Sequence, residues 1–538
     1  MINELPGGSI KATRQYEPAS ERLWRLQDAE PMIDTRMRNN IVANITARAW
    51  GFISVYVFIP LYLKFLGIEA YGLVGFYSTL VGVFVFADLG FTATLSREMA
   101  RLSVRKDSAG EMGDLLRTYE STYLCISSVL ALTIWGLAPL IAEHWLHSKV
   151  LPRQEVTAAI RLMGVSIALQ LPSGLYIGGL MGLQRQVWAN SIQIVWSAFR
   201  GVGAVLVLWL FSPTIIAFAL WQMISTAIYC FFVRASLWRA LSFSPAQSHP
   251  RFKVQVFRDT WRYSAGMLGM AVVSTLLTQT DKLAVSKMLS LEILGYYTIA
   301  GALASVPLML ASPIVSAVFP RLTGLVALED RNSLVRLYHR TCELVAVAII
   351  PAGVAIALFA RDFIFAWTGS AITAQRAGLV ASLLLGGQLM QAVTAVPYCL
   401  ALAHGNVRLN LQVGIASVVL ITPLLIGLII KYGVVGAAFS WLIMNLCTLP
   451  PYMYFLHRRF LPGEFQRWFL RSVAQPLLIA LPCVLLGRWV VPHISSRILM
   501  LCLIGMVGGV SAAATAAGVP ELRNAFMKQT CRVFGVSH

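Results

Sequence analysis

The sequence predicts an all-α polytopic membrane protein, and three observations carry that prediction. The chain is 57% hydrophobic and 12% charged over 538 residues, with a mean hydropathy of +0.70; a soluble chain holds about 25% charged residues. Its apolar stretches are continuous and long enough to cross a hydrocarbon core of about 30 Å as helices, where a β-barrel would alternate over short segments. Its Lys and Arg residues segregate by side: with the N-terminus placed inside and residues at span ends counted with the adjoining loop, 30 of the 43 fall on one side, 10 on the other, and 3 (Arg48, Arg161 and Arg200) are left to the spans. That bias predicts both termini cytoplasmic and an even number of spans. The net charge of +19 sits mainly in those loops, so it points to a membrane surface and not to nucleic acid.

Residues 1–38 are polar and mixed in charge and read as a cytoplasmic tail, without the apolar stretch of a cleavable signal peptide. Fourteen spans follow, at about 39–65, 71–95, 118–142, 155–182, 187–210, 213–233, 263–287, 294–319, 341–360, 374–402, 408–430, 433–456, 470–490 and 498–518. The first holds Asn44 and Arg48 one turn apart on one face. A guanidinium at that depth costs about 3 kcal/mol and cannot shed its charge, so Arg48 is expected to face a wet interior or to pair with Asp88 of the second span. The fourth and fifth spans carry Arg161 and Arg200; Arg161 lies near a span end, where it can also snorkel outward. Amides recur at depth, including Gln222, Gln279, and Gln388 with Gln391 three residues apart on one face; each serves either a polar lining or a helix–helix hydrogen bond. Asp281 and Lys282 close the seventh span. Prolines within spans, such as Pro307 and Pro397, are candidate hinges. The eight cysteines are scattered without metal spacing and read as small hydrophobes.

The chain repeats itself. Lys64-Phe-Leu-Gly-Ile-Glu69-Ala-Tyr-Gly72 returns 223 residues later as Lys287-Met-Leu-Ser-Leu-Glu292-Ile-Leu-Gly295, each copy joining the first two helices of a six-helix unit. Six is even, so both units enter the membrane the same way. The expected organisation is two six-helix lobes related by a pseudo-twofold along the membrane normal, plus two C-terminal helices. In residues these are a tail 1–38, lobes 39–233 and 263–456 joined by a basic linker 234–262, extra helices within 470–518, and a tail 519–538.

An early NxxxxxxxR helix, LGIEAYGLVGFYSTLVGVFVFADLGFTATLSREMA at 66–100 and TDKLAVSKMLSLEILGYYTIA at 280–300 together resemble the Wzx-type polysaccharide flippases of the multidrug/oligosaccharidyl-lipid/polysaccharide exporter superfamily, over residues 39–460. The long polar tail, and Ser290 where the first repeat has Gly67, depart from the pattern. The resemblance implies a V-shaped cavity between two lobes in a bacterial inner membrane. It implies a cargo of oligosaccharide on undecaprenyl pyrophosphate, membrane lipid around it, and polysaccharide polymerase and chain-length proteins as partners. It also places an acidic–basic pair, here Asp281 and Lys282, in a gating or ion-coupling position, against the alternative of a plain salt bridge.

Such a cargo needs cationic anchors for pyrophosphate and amide or aromatic walls for sugar; Arg offers a planar bidentate fork. The expected substrate contacts are Arg48, Arg161, Arg200, Asn44, Gln388 and Gln391, with Asp88, Asp281 and Lys282 as ion-coupling or gating residues. No GxxxxGK[ST] loop, HExxH or cysteine–histidine cluster appears, so no ATP site of that kind, catalytic residue, metal or cofactor is expected. The alternative functions are a cation-coupled drug antiporter of the same fold, which would need buried carboxylates, and a membrane glycosyltransferase or polymerase, which would need a larger extramembrane loop.

Overall fold

The computed structural model describes residues 19–105, 108–241, 250–405, 407–489 and 496–519. Among them the chain is helical without a β-strand; one isolated bridge pairs His147 with Ser290. In order the helices are α1 (Ala19–Val83), α2 (Phe91–Ser103), α3 (Ala109–Leu140), α4 (Arg153–Gly182), α5 (Gln186–Leu210) and α6 (Ile215–Ala240). Then come α7 (Val254–Met288), α8 (Leu291–Ala304), α9 (Val306–Ala327), α10 (Arg331–Leu358), α11 (Ala360–Thr368), α12 (Ala371–Val393) and α13 (Ala395–Ala403). Last are α14 (Val407–Phe460), α15 (Phe465–Phe469), α16 (Gln475–Gly487) and α17 (Arg497–Gly518).

Eleven helical segments of the described residues are long and apolar enough to cross a membrane. Two exceed one crossing: Val42–Asp88 has 47 residues and Asn410–Phe460 has 51, each more than twice what a core of about 30 Å needs. Both break at a glycine held at positive φ, Gly67 (76°) and Gly433 (61°), a conformation that side chains resist. Ser290, at the repeat position of Gly67, has ordinary extended backbone, so the two copies turn differently and only the first requires glycine.

The expected spans differ from the helices in two ways. Helix α1 begins at Ala19, inside the stretch expected as a tail, and α6 and α7 reach into the expected linker 234–262; residues 1–18, 242–249 and 520–538 lie outside the described residues. Several expected spans are also interrupted. Span 71–95 breaks at Leu89–Gly90, both left-handed; 294–319 breaks at Ser305, ahead of Pro307; 374–402 breaks at Thr394, ahead of Pro397. Proline lacks the N–H that would continue the helix, so both prolines follow a break.

Three apolar cores hold the bundle. One lies within residues 91–241, with Tyr119, Tyr123 and Tyr176 buried around α4; a second lies within 311–504. The third joins N-terminal residues such as Leu73 and Phe76 to C-terminal ones such as Leu291 and Ile299. In the first core Glu120 is buried, and its carboxylate accepts from Tyr176 Oη at 2.7 Å, from Arg117 Nη1 at 3.0 Å and from Arg234 Nε. Removing the carboxylate leaves two guanidiniums and a phenol without it, but both arginines reach solvent. Glu120→Ala is therefore expected to cost about 2 kcal/mol, below the 3–5 kcal/mol of a fully buried pair, read as a lower melting temperature in detergent.

The two repeat copies meet at the end of the bundle expected to be periplasmic. Gly72 lies against the Leu291 carbonyl, and a Cβ on Gly295 would sit 2.5 Å from the Ile68 carbonyl oxygen. Glu69 accepts the backbone N–H groups of Lys149 (2.6 Å) and Val150 (3.1 Å), Leu291 N–H donates to the His147 carbonyl at 3.0 Å, and Trp145 Nε1 donates to Ser286 Oγ at 3.0 Å. The glycine approaches and the His147–Leu291 and Trp145–Ser286 bonds seal that end across the N- and C-terminal halves, and the Glu69 bonds brace the N-terminal side of it.

Candidate functional site

Beneath the seal lies a cavity of about 530 Å³ between the two halves, lined from α1, α5, α6, α7, α8, α9, α12 and α14. Arg200 is its guanidinium. Its carbon lies 4.5 Å from the centre of the Trp196 ring, which stacks on Tyr229 at 4.2 Å, while Trp221 Nε1 donates to the Arg200 carbonyl at 3.0 Å. The Trp196 ring covers one face of the Arg200 guanidinium and so fixes the fork itself, on a residue that lines the cavity. Facing it from α12 and α14 are Gln388, Gln391 and Trp441. Gln388 Oε1 and Trp441 Nε1 are buried without a protein hydrogen-bond partner, an acceptor and a donor suited to a hydroxyl-bearing ligand.

Asp281 and Lys282 also line the cavity. Asp281 is 5% exposed; it accepts from Tyr297 Oη at 2.6 Å and lies 3.3 Å from Lys282 Nζ. Lys282 also donates to the Thr278 carbonyl at 2.5 Å. With the carboxylate matched by its neighbour, Arg200 is left as the cavity's surplus charge.

The remaining expected residues lie elsewhere. Arg48 is not in the cavity lining; its Nη1 donates to Ser312 Oγ at 2.7 Å and Ser316 Oγ at 3.2 Å, bridging α1 to α9. Asn44 is tied to α5 through Gln186 (3.2 Å) and Asn190 (2.5 Å). Arg161 packs 5.3 Å from the centre of Trp135, a half-exposed ring on α3, and so faces away from the cavity. Asp88 accepts from Tyr123 Oη and Thr92 Oγ1 at the α1–α2 break, so it and Arg48 have different partners and the alternative pairing between them is not formed. The sequence reading missed the tyrosines that wall the cavity, Tyr62, Tyr71 and Tyr77; in an apolar run a tyrosine reads as core. Among the described residues no group of three His, Cys, Asp or Glu could hold a metal ion.

Comparison with known proteins agrees with this architecture. A model of the family described as "Polysaccharide biosynthesis protein" matches residues 37–326. The chain is 22% identical to the putative O-antigen transporter of Shigella flexneri over 70% of this chain and 87% of that protein. It is 23% identical to the succinoglycan biosynthesis transport protein ExoT of Rhizobium meliloti over 85% of this chain and 87% of that one. Among solved structures, the lipid II flippase MurJ in an inward closed conformation superposes with a TM-score of 0.69 at 14% identity, over 88% of this chain and 97% of that one, which is a likeness of fold. The chain belongs to the polysaccharide biosynthesis protein family, the Wzx-type flippase group that its motifs resemble.

Proposed function

We propose that the chain flips an oligosaccharide linked to undecaprenyl pyrophosphate from the cytoplasmic to the periplasmic leaflet by alternating access. In this reading it crosses the inner membrane fourteen times, as two six-helix lobes plus two C-terminal helices, with both termini cytoplasmic. The observation that carries the reading is the cavity itself: an arginine fork held by an aromatic stack, amide and indole groups opposite, and a seal at one end. Arg200 takes the pyrophosphate, while Gln388, Gln391 and Trp441 meet sugar hydroxyls. Arg48, with Asn44 behind it, controls entry by exchanging its serine partners on α9 for phosphate. Asp281 and Lys282 act as a gating pair. Asp88 holds the bend between α1 and α2, and Arg161 anchors the outer surface.

A cation antiporter would need an unmatched carboxylate in the cavity, and Asp281 is matched by Lys282. The relatives it matches are named as transporters, so the reading is transport without chemistry. Deleting the gene is expected to leave lipid-linked glycan in the cytoplasmic leaflet, measured by leaflet-specific lectin or enzymatic labelling of vesicles. Normal glycan with drug sensitivity would instead establish an antiporter, and short surface chains at normal delivery a polymerase.

A further inference from the structure

A lipid-linked cargo must leave its tail in the bilayer while its headgroup occupies the cavity, so one side of the cavity must part for the tail. On one side α1 is sewn to the C-terminal half: Arg48 bonds Ser312 and Ser316, Tyr56 Oη donates to the Ala302 carbonyl at 3.0 Å, and Trp367 Nε1 donates to the Tyr56 carbonyl at 2.7 Å. The opposite side, where residues 76–86 face α7, is built differently. There an apolar groove of about 430 Å³ runs between Phe76, Leu80, Leu140 and Leu283 and is headed by Lys287 and Trp145. A second groove of about 260 Å³, between Val83, Phe86, Val272 and Leu276, continues from it and shares Leu283.

From Val272 to Lys287 the α7 side of the two grooves runs roughly 22 Å at 1.5 Å per residue, more than one leaflet of hydrocarbon. Leu137, Leu140, Val272 and Leu276 are each more than a third exposed, so the grooves open outward to the bilayer. Inward, Gln279 lines both the lower groove and the central cavity. Its amide lies across Gly82, where a Cβ would collide with it, so the Gln279 side chain stands between groove and cavity.

Resting on the function proposed above, we infer that this seam between residues 76–86 and α7 is the lateral site for the cargo's polyisoprenoid tail. The grooves supply a dry, branched-hydrocarbon wall, closed at the head where Lys287 Nζ donates to the His144 carbonyl and lies 5.4 Å from the centre of the Trp145 ring, and Gln279 is the side chain that swings aside to connect tail and headgroup. On the sewn side the Tyr56–Ala302 and Trp367–Tyr56 bonds, two turns along α1 from Arg48, serve as the hinge, while the Arg48 bonds are the ones exchanged for phosphate.

The test uses the full chain in nanodiscs of defined phospholipid containing undecaprenyl phosphate, with a photo-crosslinking amino acid at Leu276, at Leu140, at Val57 beside Tyr56 on the sewn side, or at Leu206 on α5 as a lipid-facing control. Polyprenyl adducts at Leu276 and Leu140 are expected to exceed those at Leu206 by about tenfold, the factor that about 1.4 kcal/mol of preferential binding gives. Gln279→Ala is expected to keep them. Adducts concentrated at Val57, or only phospholipid adducts at Leu276 and Leu140, overturn the seam. In the first case the polyprenyl cargo stands and the tail enters by the other side. Polyprenyl adducts no higher than the Leu206 control at every position count against the cargo class itself.

Discussion

Arg200→Ala is expected to abolish surface polysaccharide export while the protein remains folded in the membrane. Arg200 is the cavity's surplus charge, since Lys282 is matched by Asp281. A bidentate guanidinium–phosphate contact comprises two charge-assisted hydrogen bonds at about 1.5–3 kcal/mol each, so its loss corresponds to a fall in cargo affinity of about 100-fold or more. Arg200→Lys keeps the charge and loses the fork and the stacking on Trp196, so an intermediate loss of about tenfold is expected. Removing the cation–π contact also costs about 1 kcal/mol of stability, so the melting temperature must be measured beside export. Near-normal export by a folded Arg200→Ala protein would take the pyrophosphate out of this cavity.

Much of the fold was legible because lipid imposes a simple rule: a crossing helix must be predominantly apolar over about 20 residues. The site was legible only in part. Depth can be read from position in a span, but facing cannot when a helix is apolar all round. Arg161 and Arg200 look alike in sequence, yet one packs outward on Trp135 and the other on the cavity wall. The partners of Arg48 are 264 and 268 residues away, and no local pattern signals two serines on α9. The break at Leu89–Gly90 was hidden because hydropathy continues through it, although Asp88-Leu-Gly is the kind of polar-then-glycine step at which a helix stops. Gln388 and Gln391 were findable, since two amides three residues apart share a helix face, and the cavity takes both.

The repeat was visible as matching letters, but its physical use lies in contact between the copies. Gly72 and Gly295 let two backbones approach where the halves close, a small-residue crossing of the kind that close helix packing needs. Gly72→Ala places a methyl group against the Leu291 carbonyl, which, being backbone, cannot rotate away. Overpacking of this kind costs about 1–3 kcal/mol, and under the proposed alternating access the cost falls on the sealed state alone, because opening that end would remove the contact. The equilibrium between sealed and open forms should then shift by about 5- to 150-fold, and export should fall with the population of the sealed form. Gly110→Ala, with nothing within 4 Å of the new methyl, is the matched control and should export normally. Spin labels at Val150 and Ile372, both strongly exposed, should move apart in Gly72→Ala and in Gly295→Ala but not in the control. An unchanged distance with normal export would mean that the seal tolerates the methyl group and that the two glycines are not what holds the halves together.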